Sequence, residues 1–348
     1  MLLARPSMGL ALSNTAVLSR IAPRSLANRL TVDTHASLVE FATEIHYDVG
    51  QVARELEQFR SALTRELERI GLAAGVAGTH PSAGWQHNRV SDTERYRRLA
   101  LSMRSLLNGP PTCGLHVHVG VPDAEDAIRL LNAFGSAAPL LLALSANSPF
   151  FQGGDSGLCS VRTILLERFP RSGTARRYHS YADYVGAIDQ LIAAGALADP
   201  SYLWWDVRLQ PALGTVEVRV MDGQSAVTET VALAALVQSM ARLELEEGHP
   251  LGCAPSPEAL RENRFLAARD GLDARLVSQH GGLTPVRELV HVLIDQCRPH
   301  ARALGCAPQL DGIAQLLQQT GAERQRAWRR DDGDFTRVMP RLAELFAP

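Results

Sequence analysis

Two short runs constrain this chain more than any other feature. Residues 113–120 read Cys-Gly-Leu-His-Val-His-Val-Gly, and residues 214–222 read Gly-Thr-Val-Glu-Val-Arg-Val-Met-Asp. In both, polar groups alternate with apolar ones. Alternation of period two belongs to a β-strand, whose successive side chains point to opposite faces. His116 and His118 then share one face of their strand, and Glu217 and Arg219 share one face of theirs. Val216, Val218 and Val220 point the other way, toward a core. The polar face must be surface or cleft, so these strands call for a sheet with one buried side and one concave, polar side.

The rest of the chain supplies cover for such a sheet. Helical spacing predicts helices over 50–71, 92–107, 124–145, 181–196 and 225–246. Gly71, Gly75 and Gly78 end the first and lead through Val76 into a short strand. Thr79-His80-Pro81 reads as a turn, and Asn108-Gly-Pro-Pro111 stops the second helix. Residues 203–209 and 215–221 are strand-like and separated by Pro211 and Gly214, which predicts a hairpin. Residues 256–346 read as a run of helices broken by glycines. Strands and helices do not alternate regularly, which argues against a doubly wound parallel sheet. The expectation is an α+β fold, an antiparallel sheet with helices on its outer face, forming one catalytic domain over 1–348 with a mostly helical 256–346. The Gly/Ser/Pro-rich stretch 147–160 is expected to be a loop available for substrate contacts.

Composition narrows the partners. The formal net charge is −2, which gives no electrostatic reason to expect nucleic acid or an acidic membrane. No apolar run reaches the roughly eighteen residues of a membrane span. The chain contains no lysine, so every base is an arginine. Anions must be held by guanidinium groups or backbone amides, and no lysine can act as a base or Schiff-base former. Five cysteines at 113, 159, 253, 297 and 306 form no CxxC pair, which argues for a reducing compartment. Arg5, Arg20, Arg24 and Arg29 with serines and no acid superficially resemble a transit peptide. In so arginine-rich a chain a cytoplasmic protein is the better expectation.

Four groups of residues could carry chemistry. His116 and His118, at i and i+2 on a strand, can bind one metal from one face, or one of them can be a hydrogen-bonded core residue. Gly114 and Gly120 beside them permit close approach of backbone or ligand. Glu217 and Arg219 form either a cleft pair or a solvated salt bridge. Asp33 and Glu40 lie seven residues apart. On a helix they would share a face roughly 10 Å apart; on a turn and a strand they could converge on one ion; they could also be ordinary surface acids. Arg162 and Arg168 flank an apolar stretch, and Arg208 follows Trp204 and Trp205. An arginine beside tryptophans can clamp a carboxylate or phosphate, or simply pack its stem. Cys113 has no evident base and reads as a small buried thiol.

Together these segments resemble the glutamate–cysteine ligase type 2 family of carboxylate–amine ligases. The matching strings are Leu38-Val-Glu-Phe-Ala-Thr43, Ala77-Gly-Thr-His-Pro81 with Trp85, Cys113-Gly-Leu-His-Val-His-Val-Gly-Val-Pro-Asp123 and Phe169-Pro-Arg-Ser-Gly173. They continue with Trp205-Asp-Val-Arg208, Gly214-Thr-Val-Glu-Val-Arg-Val-Met-Asp222, Glu262-Asn-Arg-Phe-Leu-Ala-Ala-Arg-Asp-Gly271 and Ala322-Glu-Arg-Gln-Arg326. They keep the family's order from about residue 30 to the end. The resemblance implies a glutamine-synthetase-like catalytic fold, with an antiparallel sheet funnel around ATP and Mg²⁺ or Mn²⁺. It implies phosphoryl activation of a carboxylate, then attack by an amine. By the same resemblance Asp33, Glu40, His116 and Glu217 are the expected metal ligands, and His116 and Arg219 sit beside ATP. Arg219 would touch the γ-phosphoryl group, with Arg162 and Arg208 on the substrate carboxylate or phosphates. The implied partners are a small-molecule carboxylate and amine, with no nucleic acid and no membrane. Exposed sheet edges and the apolar 225–246 helix permit a homodimer without requiring one.

The sequence departs from the family pattern at its start. The family opens with a strand of the form Gly-Val-Glu-x-Glu-Phe whose two glutamates hold metal, and Met1–Gly9 looks like the family's next stretch after that strand. The expectation is that this strand is missing, through a start placed too far downstream or through true loss, and that the chain as written has little ligase activity. Two further readings stay open: a degenerate, non-catalytic relative that binds a nucleotide or amino acid, and a metal-dependent hydrolase built on His116, His118 and Glu217.

Overall fold

The computed structural model describes residues 1–21, 29–248, 256–279, 281–335 and 337–347. Arg24 and Cys253 lie outside the described residues.

The central ladder has three antiparallel strands, Val207–Gln210, Thr215–Val218 and Val117–Gly120, with Thr215–Val218 in the middle. Register places Arg208 opposite Glu217, and Glu217 opposite His118. The period-two rule then sorts the side chains. Val207, Leu209, Val216 and Val218 are buried against helices on one side. Arg208, Glu217 and His118 stand on the other side. The predicted hairpin is present, and Gly214 turns it with φ +62, a left-handed conformation that suits glycine.

Four long helices close the apolar side: Ala124–Ser145, Val227–Glu247, Pro257–Asp270 and Val286–Ala303. Asp123 starts the first by accepting from the Asp126 amide at 2.9 Å. This helix is apolar nearly all round, and its Leu141, Leu142 and Leu144 are fully buried. Each such leucine contributes about 1.5–3 kcal/mol over exposure. On length and composition it could cross a membrane, contrary to the expectation that no stretch would; here it is the core helix.

A second layer holds the N-terminal third. Leu2–Ala4 pairs with both Gly9–Leu10 and Leu72–Ala74. The helix Val49–Glu68 is capped by Asp48, which accepts from the Gly50 amide at 2.7 Å, and it buries Phe59, Leu63 and Leu67 against this sheet. Leu30–Val32 and Val39–Phe41 form a hairpin with Thr31 opposite Glu40. The helical alternative for Asp33 and Glu40 is thereby removed: one sits in the turn, the other on the returning strand.

The α+β class holds, with helices outside and mostly antiparallel strands. The sheet is broken into short ladders. The 203–209 run is one of the breaks. Trp204–Trp205 runs parallel to Ser172–Gly173, then the chain changes sheets at Asp206. Asp206 makes the junction: its amide donates to the Gly173 carbonyl, and its carbonyl accepts from the Arg219 and Val220 amides at 2.8 and 3.1 Å. Two hairpins fall where loops or helices were expected. Phe150–Phe151 pairs with Gly154–Asp155, and Arg275–Val277 pairs with Leu283–Pro285.

Candidate active site

The polar side of the central ladder faces a cavity of about 370 Å³. Asp33, Glu40, His116, Arg162 and Arg219 line it, together with Cys113, Trp204, Trp205 and Arg168. Glu217 and Arg208 are buried outside that lining, and His118 is exposed.

Glu217 organises the wall. It is 2% exposed. Arg208 donates to its Oε2 from Nε at 2.9 Å and from Nη2 at 2.7 Å, and Gln210 donates to the same oxygen at 3.0 Å. Arg219 donates to Oε1. His116 Nδ1 lies 3.4 Å and His118 Nε2 3.7 Å from that oxygen. Burial by itself would raise the carboxyl's pKa. The guanidinium groups of Arg219 and Arg208 outweigh it and hold Glu217 well below the usual carboxylate range. Both oxygens are therefore engaged, and Glu217 stands as a brace for Arg219.

Arg208 is equally committed. Besides Glu217, its Nη1 donates to the Ser201 and Leu203 carbonyls at 2.7 and 2.9 Å. Arg162 is buried and donates to the Val220 and Arg219 carbonyls at 3.1 and 3.2 Å, with Asp222 at 3.7 Å. It fixes the backbone that carries Arg219. Gly114 makes room for this: a Cβ there would overlap the Arg162 guanidinium. Gly120 has no such role, since a Cβ there meets open space.

The titratable groups of the wall are shifted by position. Burial first, then Arg219, push His116 well below the usual imidazole value, so it is neutral at pH 7. His118 is also lowered, mainly by burial; its Nδ1 lies 2.9 Å from Thr215 Oγ1. Glu40 is raised, by burial and then by the charge of Asp33. The Cys113 thiol is pushed up by burial, which leaves it protonated and a poor nucleophile.

Two hubs were not read as such from sequence. Asp222 is fully buried and accepts from Ser148 Oγ at 2.7 Å, the Asn147 amide at 2.9 Å and Ser160 Oγ at 3.0 Å. The 147–160 stretch turns its polar groups onto Asp222, and none of it lines the cavity. Asp206 is held by Arg264 through Nε at 2.6 Å and Nη2 at 3.1 Å. An acid inside the apolar run Trp204–Leu209 was the available signal.

The arrangement offers two cavity-facing carboxylates, a neutral imidazole and a braced guanidinium. Among the described residues no three His, Cys, Asp or Glu side chains come together in a way that could hold a metal ion. His116 and His118 both approach Glu217 Oε1, but Arg219 already donates to that oxygen and the three do not form a group that could hold a metal, which counts against the hydrolase reading.

A family model described as glutamate-cysteine ligase family 2 matches residues 13–340. A Rubrobacter xylanophilus protein provisionally named glutamate–cysteine ligase 2-1 is 37% identical over 336 residues, which cover 95% of this chain and 89% of that protein. A Thermobifida fusca protein provisionally named glutamate–cysteine ligase 2 is 36% identical over 315 residues, covering 89% of this chain and 79% of its own. Among solved structures, the glutamate–cysteine ligase of Francisella tularensis in complex with AMP has a TM-score of 0.71 at 16% identity. The match covers 100% of this chain and 87% of that one, and it shows a shared fold.

Proposed function

Because the chain belongs to the glutamate–cysteine ligase family 2, we propose that it is an ATP-dependent ligase that joins a carboxylate to an amine. The observation that carries this reading is the convergence of Asp33, Glu40, His116 and Arg219 on one cavity. They come from three distant stretches, and only folding brings them together. A non-catalytic relative is not favoured, since relatives named as ligases match most of the chain.

In this reading an oxygen of the substrate carboxylate attacks the γ-phosphorus of ATP, and ADP leaves. The amine then attacks the acyl phosphate, phosphate leaves with the C–O bond electrons, and the nitrogen gives up a proton. Arg219 holds phosphoryl oxygens, with its guanidinium fixed by Glu217 so that little reorganisation is needed. Arg162 and Arg208 act on that arginine from behind, through its backbone and through Glu217. No side-chain nucleophile is required, in keeping with a protonated Cys113.

Among the described residues the side chains by themselves form no metal-holding group, so a divalent cation such as Mg²⁺ or Mn²⁺ would be held jointly by cavity side chains and by phosphate oxygens of the nucleotide. Asp33 and Glu40 offer carboxylates and His116 an imidazole. Burial raises Glu40 first and the charge of Asp33 second, and a cation would remove that second contribution. An open set suits magnesium, which takes one or two carboxylates and completes its shell with phosphate oxygens and water. When bound, the cation would neutralise charge developing on the phosphate oxygens.

We read the chain as one catalytic unit in the cytoplasm, a placement supported by the free thiols of Cys113, Cys159, Cys297 and Cys306. The test is ADP release from MgATP with L-glutamate and a panel of amines. ADP formation that needs both a carboxylate and an amine supports the reading. No ADP with any pair would sink it.

A further inference from the structure

Among the described residues four arginines line the cavity, and three are committed to protein acceptors. Arg219 is on Glu217, Arg162 on backbone carbonyls, and Arg264 on Asp206. Arg168 is the fourth. Among the described residues it has no carboxylate partner, and its Nε is sealed from solvent with no acceptor. Burial lowers its pKa, and no neighbouring acid works against that. The guanidinium lies over the Phe169 ring, 4.8 Å from its centroid. Gly109 leaves the space for it, since a Cβ there would overlap the guanidinium. A half-buried cation without an anion is costly unless a ligand completes it.

The surroundings indicate which ligand. Leu99, Leu107, Phe169 and Trp204 pack together in one apolar cluster, and all four line the cavity. His35 lines the same cavity and lies within electrostatic reach of both Asp33 and Arg168. A triphosphate needs several cations around it. A single fork in an apolar setting suits one planar carboxylate.

We propose that Arg168 holds the carboxylate of an amino acid whose apolar side chain rests on Leu99, Leu107, Phe169 and Trp204. This rests on the ligase reading and narrows its amine: the attacking nitrogen belongs to an apolar amino acid. Specificity then comes from one end of the cavity and phosphoryl transfer from the other.

The test is isothermal titration of the full chain with L-leucine, L-methionine, L-phenylalanine, glycine and L-leucine methyl ester. MgATP is titrated separately, so that the ligase reading is judged on its own. Wild type, R168Q and R168K are compared, with a melting temperature for each. The apolar amino acids should bind more tightly than glycine. Removing the carboxylate as the ester, or the fork as R168Q, should weaken leucine about tenfold or more. R168K should recover part of the loss, and MgATP affinity should not change. The proposal is overturned if wild type binds none of the apolar amino acids, or if R168Q binds them as wild type does. It is also overturned if R168Q loses MgATP affinity as much as leucine affinity. Should R168Q melt early, the wild-type chain decides: equal affinity for leucine and its ester overturns the proposal.

Discussion

Arg208 and Glu217 face each other across the antiparallel ladder, and two guanidinium nitrogens of Arg208 meet one carboxylate oxygen at 2.9 and 2.7 Å. Glu217 thereby has one oxygen for the arginine that holds it in place and one for Arg219, which faces the cavity. Removing the carboxylate strands two cations in a buried setting. E217A should cost about 3–5 kcal/mol of stability in urea unfolding. A loss far below 1 kcal/mol would mean that solvent or another acid replaces it.

Arg219 is the cavity-facing member of that group. In the ligase reading R219A should lower turnover about 10²–10³-fold, as expected for a lost oxyanion donor. The variant should fold, because Arg208 still pairs with Glu217. Steady-state ADP release checks the first part and a thermal melt the second. Near-normal turnover would move the phosphoryl contact elsewhere.

Asp222 anchors both ends of the 147–160 stretch through Ser148 and Ser160, and it faces Arg162. D222A leaves those groups and the Asn147 amide without their acceptor. A loss of at least about 2 kcal/mol is expected. Hydrogen exchange should show faster exchange at Asn147 and Arg162, whose amides sit in this network. Unchanged protection there would contradict the assignment.

His80 gives the chain an acid-sensitive joint. Its Nδ1 accepts from the Ala83 amide at 3.1 Å, and its Nε2 lies 3.0 Å from the Met8 carbonyl. Burial holds its pKa below the ordinary 6.5, although the Met8 carbonyl works in the other direction. The unfolded chain therefore binds a proton that the folded imidazole refuses. Stability from this group is full above pH 6.5 and is lost as the pH falls through the lower, folded value. Urea midpoints at about pH 5 and about pH 8 should differ less in H80N than in wild type. The slope should flatten without vanishing, because burial also lowers His35, His116 and His118.

The central ladder was legible because its alternation is strict. Val216 and Val218 had to face a core, and Glu217 had to face away. Sequence could not say that Glu217 would be sealed by Arg208, because that depends on cross-strand register. Asp33 and Glu40 were ambiguous for a similar reason, since seven residues fit two helical turns as well as a hairpin. The pairing of Thr31 with Glu40 decides between them. The 147–160 stretch has a loop's composition, yet its serines serve a buried aspartate about seventy positions away. Nothing local encodes such a partner. The run 203–209 failed as one strand because Asp206 is claimed by Arg264, a residue from a helix much later in the chain.

The absence of lysine has a chemical consequence inside the cavity. No side chain there is a primary amine. Of the groups a reactive acyl donor would meet there, the guanidiniums stay protonated and do not attack, and burial keeps the Cys113 thiol in its sluggish form; the neutral His116 imidazole is the exception. The missing lysine thus removes one route by which the chamber walls could capture what they enclose, and leaves the neutral His116 imidazole as the side chain an activated acyl group could reach.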